Sequence, residues 1–369
     1  MSDIADLSKG IGISKDQLSA DGEPCILYGE LYTKYKSETI KEVISKTNID
    51  NTKLVKSKAN DVIIPCSGET AEEIATARCV LKDDVLLGGD LNIIRLHGYD
   101  GSFMSYQLNG KRKYDIAKVA QGVSVVHLYG EHLKNIKTFN PSLNEQKKIA
   151  NLLSLLDERI STQNKIIEDL KKLKSAIIEI EYSSRTKTSS HIGDFIVQTS
   201  KRNKDNAIQT ILSISNRQGF IQQSEQFENR SVASDDTSNY KIVERNSFAF
   251  NPARINVGSI ARLATFDRGI VSPMYICFRT KDNLFPEYLD YYFESKQFFT
   301  EIQKRLEGSV RQCLSFEGLC NIPLSIPTIE VQQQTGKRLS TLAQEIKLEI
   351  DFLELLQKQK KFLLHQMFI

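Results

Sequence analysis

"NPSLNEQKKIANLLSLLDERISTQ" at residues 140–163 and "IPTIEVQQQTGKRLSTLAQEIKLE" at residues 326–349 are two proline-led amphipathic stretches of the same design. Ser142 and Glu145 have the spacing of a capping box, which predicts that a helix begins directly after the first proline. Thr328 can also cap a helix, but Val331 stands where the reciprocal glutamate would be, so this start is less well specified. The sequence predicts one long helix in the middle of the chain and another at its end.

Apolar residues recur in both helices with alternating steps of four and three positions. This repeat, about 3.5 residues on average, is typical of a coiled-coil seam. The simplest way to bury both seams is to pack the two helices on each other within one chain, although an external partner could also cover them. The predicted seam residues are Leu153, Leu156, Ile160, Ile167 and Leu170 in the first helix and Leu339, Leu342, Ile346, Leu353 and Leu356 in the second.

Polar residues interrupt both seams at matching places. Gln163 corresponds to Glu349, and Lys174 corresponds to Lys360. One interpretation is that these long side chains reach solvent at the edge of the seam. The other is that they specify the register or the antiparallel orientation of the helices.

The two stretches belong to a longer internal repeat. The segment that begins at Gly122 aligns without a gap with the segment that begins at Gly308, and the same offset continues through both helices. Further upstream the repeat is weaker and needs small insertions. The predicted fold is therefore α/β (α+β): a mixed α/β domain at residues 1–140, a helix at 141–186, a second such domain at 187–326 and a helix at 327–369.

Composition limits the class of protein. With 369 residues, of which 40% are hydrophobic and 26% charged, the chain can bury more than one core. The net charge of +3 does not identify a nucleic-acid partner, so any basic face must be local. The six cysteines contain no CxxC pair and the histidines no HExxH spacing. Without a signal peptide or an apolar run of about 18 residues, we expect a reduced cytoplasmic protein without a metal and without a membrane partner.

The globular parts contain short β-branched and aromatic runs divided by turn residues, and one helix is predicted at residues 285–306. Catalytic patterns are absent from the sequence. "NPAR" at residues 251–254 begins like the amine-binding loop of amino-methyltransferases, but it lacks the second proline and the aromatic residue of that loop. These parts are interpreted as readers rather than catalysts.

Several loops carry planar or cationic side chains beside turns. Arginine pairs with guanine edges and Asn or Gln with adenine edges, whereas lysine holds phosphates. Arg254 and the Arg311–Gln312 pair are the strongest candidate base readers, and residues 111–113 are the candidate phosphate contact; each loop is also compatible with a solvated turn. The full candidate set is Ser67, Thr70, Lys111, Arg112, Lys113, Arg217, Asn251, Arg254, Asn256, Arg311 and Gln312.

The order of these parts and the motif "P-x-L-x-E-Q-x-x-I" at Pro141–Ile149 resemble the specificity subunit of type I restriction-modification systems. The resemblance implies two target-recognition domains that each read half of a bipartite site in double-stranded DNA. It also implies an antiparallel helix pair that sets the spacing and docks two methyltransferase subunits, which motor-endonuclease subunits join for cleavage.

The resemblance further implies a non-catalytic chain without a cofactor, with S-adenosylmethionine, ATP and Mg on the partner subunits. The second helix departs from the motif because Val331 precedes Gln332 where glutamate is usual. Two alternatives stay open. One is a coiled-coil scaffold with protein-binding globular ends, and the other is a catalytic methyltransferase, which would require cofactor motifs that this sequence lacks.

Overall fold

A computed structural model describes residues 1–122, 125–183, 189–216, 218–223, 236–308 and 312–368. The chain forms two compact units. The first consists of Met1–Lys165 and Ile350–Ile369, and the second consists of Ile166–Glu349. Each unit thus contains one globular part and one portion of each long helix. The four-part division at residues 140, 186 and 326 stays a prediction.

Two helices, Leu143–Ser183 and Ile329–Gln366, are much longer than the rest, as the sequence predicts. In chain order the helices are α1 Glu30–Thr33, α2 Ala71–Ile74, α3 Gly101–Asn109, α4 Lys113–Val119, α5 Gly130–Lys134, α6 Leu143–Ser183, α7 Ile192–Phe195, α8 Pro286–Tyr292, α9 Lys296–Gln303, α10 Phe316–Cys320 and α11 Ile329–Gln366.

Two five-stranded sheets form most of the first unit. Their orders are β1-β11-β7-β9-β4 and β2-β5-β3-β10-β6, and β12 pairs with β8. Strand β7 is buried along its whole length, because aliphatic residues of the sheet face a core on each side. The strands are β1 Ala5–Lys9, β2 Leu18–Ser19, β3 Glu23–Ile26, β4 Thr39–Ile40, β5 Ser45–Thr47, β6 Val55–Lys56, β7 Asp61–Pro65, β8 Ser67–Gly68, β9 Arg78–Val80, β10 Leu86–Leu87, β11 Leu91–Leu96 and β12 Val126–His127.

The second unit has a four-stranded sheet of order β13-β20-β17-β18 and two two-stranded sheets, β14-β15 and β16-β19. Its main core is aromatic; Phe248 stacks on Phe278 with ring centroids 5.1 Å apart. The strands are β13 Ile196–Thr199, β14 Leu212–Ser215, β15 Gly219–Gln222, β16 Lys241–Glu244, β17 Phe248–Phe250, β18 Ile260–Arg262, β19 Arg268–Val271 and β20 Ile276–Thr280.

The prediction of one helix at residues 285–306 is wrong, since the segment forms α8 and α9 with a turn between them. Ser295 causes the break. Its backbone N–H donates to Tyr292 O at 3.0 Å, and its Oγ accepts the Phe298 N–H at 3.2 Å, so the serine ends one helix and caps the next.

Candidate nucleic-acid interface and helix anchors

The start of α6 contains the capping box that the sequence predicts. The Ser142 N–H donates to Glu145 Oε2 at 3.1 Å, and the Glu145 N–H donates to Ser142 Oγ at 3.4 Å. The hydrogen bonds that the glutamate accepts from the side chain and backbone of Ser142 lower its pKa. The helix entry is therefore fixed locally, directly after Pro141.

Gln146 anchors this helix start to the first globular part. Its side chain is 1% exposed. Its Nε2 donates to Pro141 O at 2.8 Å, and its Oε1 accepts the Asp100 N–H at 2.9 Å. Asp100 is the N-cap of α3, since its carboxylate accepts the Phe103 N–H at 2.8 Å. One glutamine thus joins the proline turn, α6 and α3.

Gln332 makes the equivalent anchor in the second unit. The side chain is fully buried. Its Nε2 donates to Pro327 O at 2.9 Å and to Asn283 O at 3.1 Å, and its Oε1 accepts the N–H of Phe285, the residue before α8, at 2.8 Å. The valine at position 331 leaves this anchor intact. The repeat therefore preserves a specific contact and not only a helix pattern.

Alanine at Gln146 or at Gln332 is expected to lower the free energy of unfolding by about 1–3 kcal/mol, because each change leaves a part-buried backbone N–H and one or two carbonyls without their glutamine partner. Urea unfolding of the purified chain measures this loss. Gln333 is exposed on the same helix, so Gln333→Ala is the matched control and should change stability by less than about 0.5 kcal/mol. Equal effects at Gln332 and Gln333 would show that the anchor is energetically unimportant.

The predicted seam residues are all buried or half-buried, and their pairing across a coiled coil stays a prediction. Leu153, Ile167, Leu339, Ile346 and Leu356 are buried. The other five, Leu156, Ile160, Leu170, Leu342 and Leu353, are half-buried.

The two long helices share a cluster in each unit. In the first unit, Leu153 and Ile149 near the start of α6 pack with Leu363 and Phe368 at the end of the chain. In the second unit, Ile178 near the end of α6 and Leu339 near the start of α11 belong to one core cluster. Within each unit the beginning of one helix therefore meets the end of the other.

Lys360 is the centre of a buried charged cluster in the first unit. Its Nζ lies 2.5 Å from Glu38 Oε2 and 2.5 Å from Asp157 Oδ1. Tyr106 Oη and Ser37 Oγ each donate to Asp157 Oδ2 at 2.8 Å. Burial raises the pKa of Glu38, and the Lys360 ammonium opposes that shift.

Lys174, at the matching place of the repeat, is paired in the second unit. Its Nζ lies 2.7 Å from Glu294 Oε2 and 5.1 Å from the centre of the Tyr291 ring. Lys360 similarly lies 5.9 Å from the centre of the Tyr106 ring. Both lysines therefore bind a carboxylate of their own unit, and whether they specify the register or the antiparallel orientation of the helices stays a prediction.

The candidate DNA contacts of the first unit are mostly engaged within the protein. Ser67 Oγ donates to Asp90 Oδ2 at 3.2 Å, and Thr70 caps α2 by accepting the Glu73 N–H at 3.2 Å. Arg112 lies 3.5 Å from Asp115. Burial, followed by the nearby Arg78, lowers the pKa of Lys113. Lys111 is the exposed cation of this loop, and a DNA contact for each of the five predicted residues stays a prediction.

The candidate loop of the second unit is braced by Asn251. This side chain is 7% exposed, and its Oδ1 accepts the Ala253 N–H at 3.1 Å while its backbone N–H donates to Ser259 O at 3.0 Å. The loop presents Arg254 to solvent directly before a 3₁₀ turn, Ile255–Val257, that ends at Gly258 with φ of 89°.

The remaining candidates of the second unit differ in exposure. Asn256 is half-buried and Gln312 is exposed, and whether they contact bases stays a prediction. Arg217 and Arg311 lie outside the described residues.

Large apolar side chains are exposed along both long helices. They are Leu143, Leu152, Leu155, Ile166, Leu173 and Ile180 in α6 and Val331, Leu348, Leu355 and Phe362 in α11. The last three in each helix follow one another at seven-residue intervals, which places them on one face of the helix. Each long helix therefore has a second apolar stripe besides the seam.

Membrane-spanning helices and metal sites are both absent from the described ranges. No helix there is long and apolar enough to cross a membrane. Nor do three His, Cys, Asp or Glu side chains come together there as a metal site would require.

The sequence profile of the type I restriction modification DNA specificity domain matches residues 1–172 and 220–358. The chain therefore belongs to the type I restriction-modification DNA specificity family. Specificity subunits of this kind are non-catalytic components of their complexes.

One relative is the type I restriction enzyme MjaVIII specificity subunit of Methanocaldococcus jannaschii, 29% identical over 177 residues. The match spans 48% of this chain and 40% of that relative.

Two solved structures share the fold. The S subunit of a type I restriction-modification system from M. genitalium is 17% identical with a TM-score of 0.62, and the match covers 100% of this chain and 94% of that one. A chain from a structure that addresses complex assembly and conformational transition of the type I R-M system is 12% identical with a TM-score of 0.56, and this match covers 98% and 95%.

Proposed function

We propose that the chain is the DNA-targeting subunit of a type I restriction-modification complex and recognises a bipartite site in double-stranded DNA. The family match across both globular parts carries the proposal. Each part would read one half-site through its own loops, which accounts for the divergence of the globular repeats beside the similarity of the helices. This role places the chain in the cytoplasm, with the genome.

The long helices would form an antiparallel coiled coil that fixes the separation of the half-sites. The shared clusters support this arrangement, because in each unit the start of one long helix meets the end of the other. The anchors at Gln146 and Gln332 would transmit the helix geometry to the recognition domains. A two-headed reader of this kind would favour half-sites about one helical turn apart, roughly 10 bp.

Two methyltransferase subunits would dock on the helices, and motor-endonuclease subunits would join them for cleavage. The exposed apolar stripes support such docking, since apolar side chains that recur along one exposed helix face are suited to a partner protein. S-adenosylmethionine, ATP and Mg would bind to those partner subunits and not to this chain.

Mapping N6-methyladenine across the host genome, with and without the gene, tests the proposal. We expect a split motif that disappears on deletion, because the methyltransferase would lose its target recognition. The same map with Arg254→Ala should show relaxed recognition at one base of one half-site, corresponding to a loss of about 1–3 kcal/mol of discrimination.

A methylome that is unchanged on deletion, from a locus shown to produce the complex, would contradict the proposal and favour the scaffold alternative. For Arg254→Ala, equal loss of methylation at all sites would assign the arginine to phosphate binding or folding. Purified complex should retain its methyltransferase subunits in either case, because Arg254 lies on a loop of the globular part.

A further inference from the structure

A basic cleft of about 700 Å³ opens in the second unit, away from the loop that presents Arg254 in sequence. Four cationic and two acidic side chains line it, over a floor that includes Ile208 and Ile242. The charged residues are Lys201, Arg202, Lys204, Arg268, Asp205 and Glu244. The net charge of the whole chain is only +3, so the composition gives no sign of this local positive charge.

The loop that carries three of these cations is held rigidly. Asn203 is fully buried, its Nδ2 donates to Ile208 O at 2.9 Å, and its Oδ1 accepts the Ile208 N–H at 3.1 Å. The Ile242 N–H of β16 donates to Lys201 O at 2.8 Å. These hydrogen bonds fix the backbone that carries Lys201 and Lys204, whose side chains are exposed.

The four cations outnumber the two carboxylates of the cleft. Within the part of the chain that the structure describes, Lys201, Lys204 and Arg268 form no ion pair, although Glu244 lies opposite Arg268 in the strand pairing. Arg202 donates to the amide oxygen of Asn239 at 2.8 Å, which neutralises no charge. The adjacent Arg245, by contrast, is paired with Asp267 at 3.0 Å. An anionic ligand would therefore meet exposed cations on a backbone that is held by hydrogen bonds.

We infer that this cleft holds backbone phosphates of the DNA duplex beside the half-site that the second unit reads. The inference rests on the proposed function. Flexible lysines and an exposed arginine at the rim of an open cleft suit a string of phosphates, whereas base reading requires planar groups that enter a groove. The cleft increases the affinity for DNA and fixes the position of the second unit along the duplex, without a preference for any base sequence.

The test is a triple variant, Lys201→Gln, Lys204→Gln and Arg268→Gln, in the assembled methyltransferase complex. Binding to a duplex with the mapped motif and to an unrelated duplex is measured from 50 to 200 mM salt. We expect both affinities to fall by the same factor, between roughly tenfold and hundredfold at 0.1 M salt, and the slope of log K against log salt to shrink by about 2–3. The methylated motif should stay the same.

The matched control is Arg245→Gln with Asp267→Asn, which removes a neighbouring cation and its partner together and should leave the slope unchanged. Unchanged affinity and slope in the triple variant would overturn the inference. So would a changed motif, which would make the cleft a base reader, or loss of the methyltransferase subunits, which would make it a protein-docking surface. Failure of the unmodified complex to select any motif would instead reject the proposed function.

Discussion

One heptad inserted into each long helix is expected to lengthen the nonspecific spacer of the methylated motif while both half-sites keep their sequence. Seven residues add about 10 Å of helix, equal to the rise of about 3 bp. Each added base pair also rotates the second half-site by roughly 35°, because the duplex turns once per 10–10.5 bp. The added helix length alone would allow a spacer that is longer by about 3 bp. Because each added base pair also turns the second half-site around the duplex axis, the expected increase is about 1–3 bp.

The insertions belong after Lys165 and after Glu349, where the two compact units divide and where neither glutamine anchor is disturbed. Methylome mapping in the host measures the new spacer directly. A heptad in only one helix is the control; it would misalign the seams and should reduce assembly instead of producing a longer motif. If both insertions leave the original spacer unchanged, the helices do not set it.

The long helices were predictable because their signals are local. The capping box at Ser142 and Glu145 lies within one turn, and the seam repeat appears in the sequence itself. The break at Ser295 was missed although serine is a favoured N-cap, because the apolar and aromatic residues on both sides continue a helical pattern. The resemblance supplied the family, which the physical pattern alone left open.

The contacts of the site were less predictable, because they join distant parts of the chain. Gln146 lies within the recognised motif, but its partner at Asp100 belongs to another element. The sequence signal for these anchors is the pair of glutamines at equivalent positions of the two repeat copies. Lys360 pairs with Glu38, which is 322 positions away in the sequence, and a local sequence pattern cannot predict such a pair. The bracing role of Asn251 depends on a loop conformation that one sequence does not determine.

Lys360→Met is expected to destabilise the first unit by about 3–5 kcal/mol, since it removes the ammonium that lies 2.5 Å from both buried carboxylates, Glu38 and Asp157, and leaves them with the weaker attraction of Arg78. Methionine keeps most of the apolar length of the lysine, so the loss reports the charge more than the packing. Thermal and urea unfolding of the purified chain measure it. Lys358, two positions earlier and exposed beside Glu354 at 3.8 Å, provides the control; Lys358→Met should cost less than about 0.5 kcal/mol.

The pH dependence of this variant follows from the direction of the Glu38 shift. Burial already raises the pKa of Glu38 from its ordinary value of 4.5, and Lys360 opposes that rise. Without the lysine the folded-state pKa rises further. The folded protein then binds a proton more tightly than the unfolded chain, so acidification from neutral pH toward 4.5 favours folding. The variant should therefore regain more stability in this range than the unmodified protein does.

A second substitution separates the charge effect from the loss of lysine packing. Glu38→Gln in the Lys360→Met background removes one of the two buried carboxylates that have lost the lysine. The double variant should therefore be more stable than Lys360→Met alone, and its gain in stability on acidification should be smaller. In the double-mutant cycle, the two single losses should together exceed the combined loss, because each single change removes the same Lys360–Glu38 pair, although Asp157 stays beside Lys360 in the Glu38→Gln variant. Additive losses, with the same pH dependence in all variants, would mean that Lys360 acts through packing against Tyr106 and not through its charge.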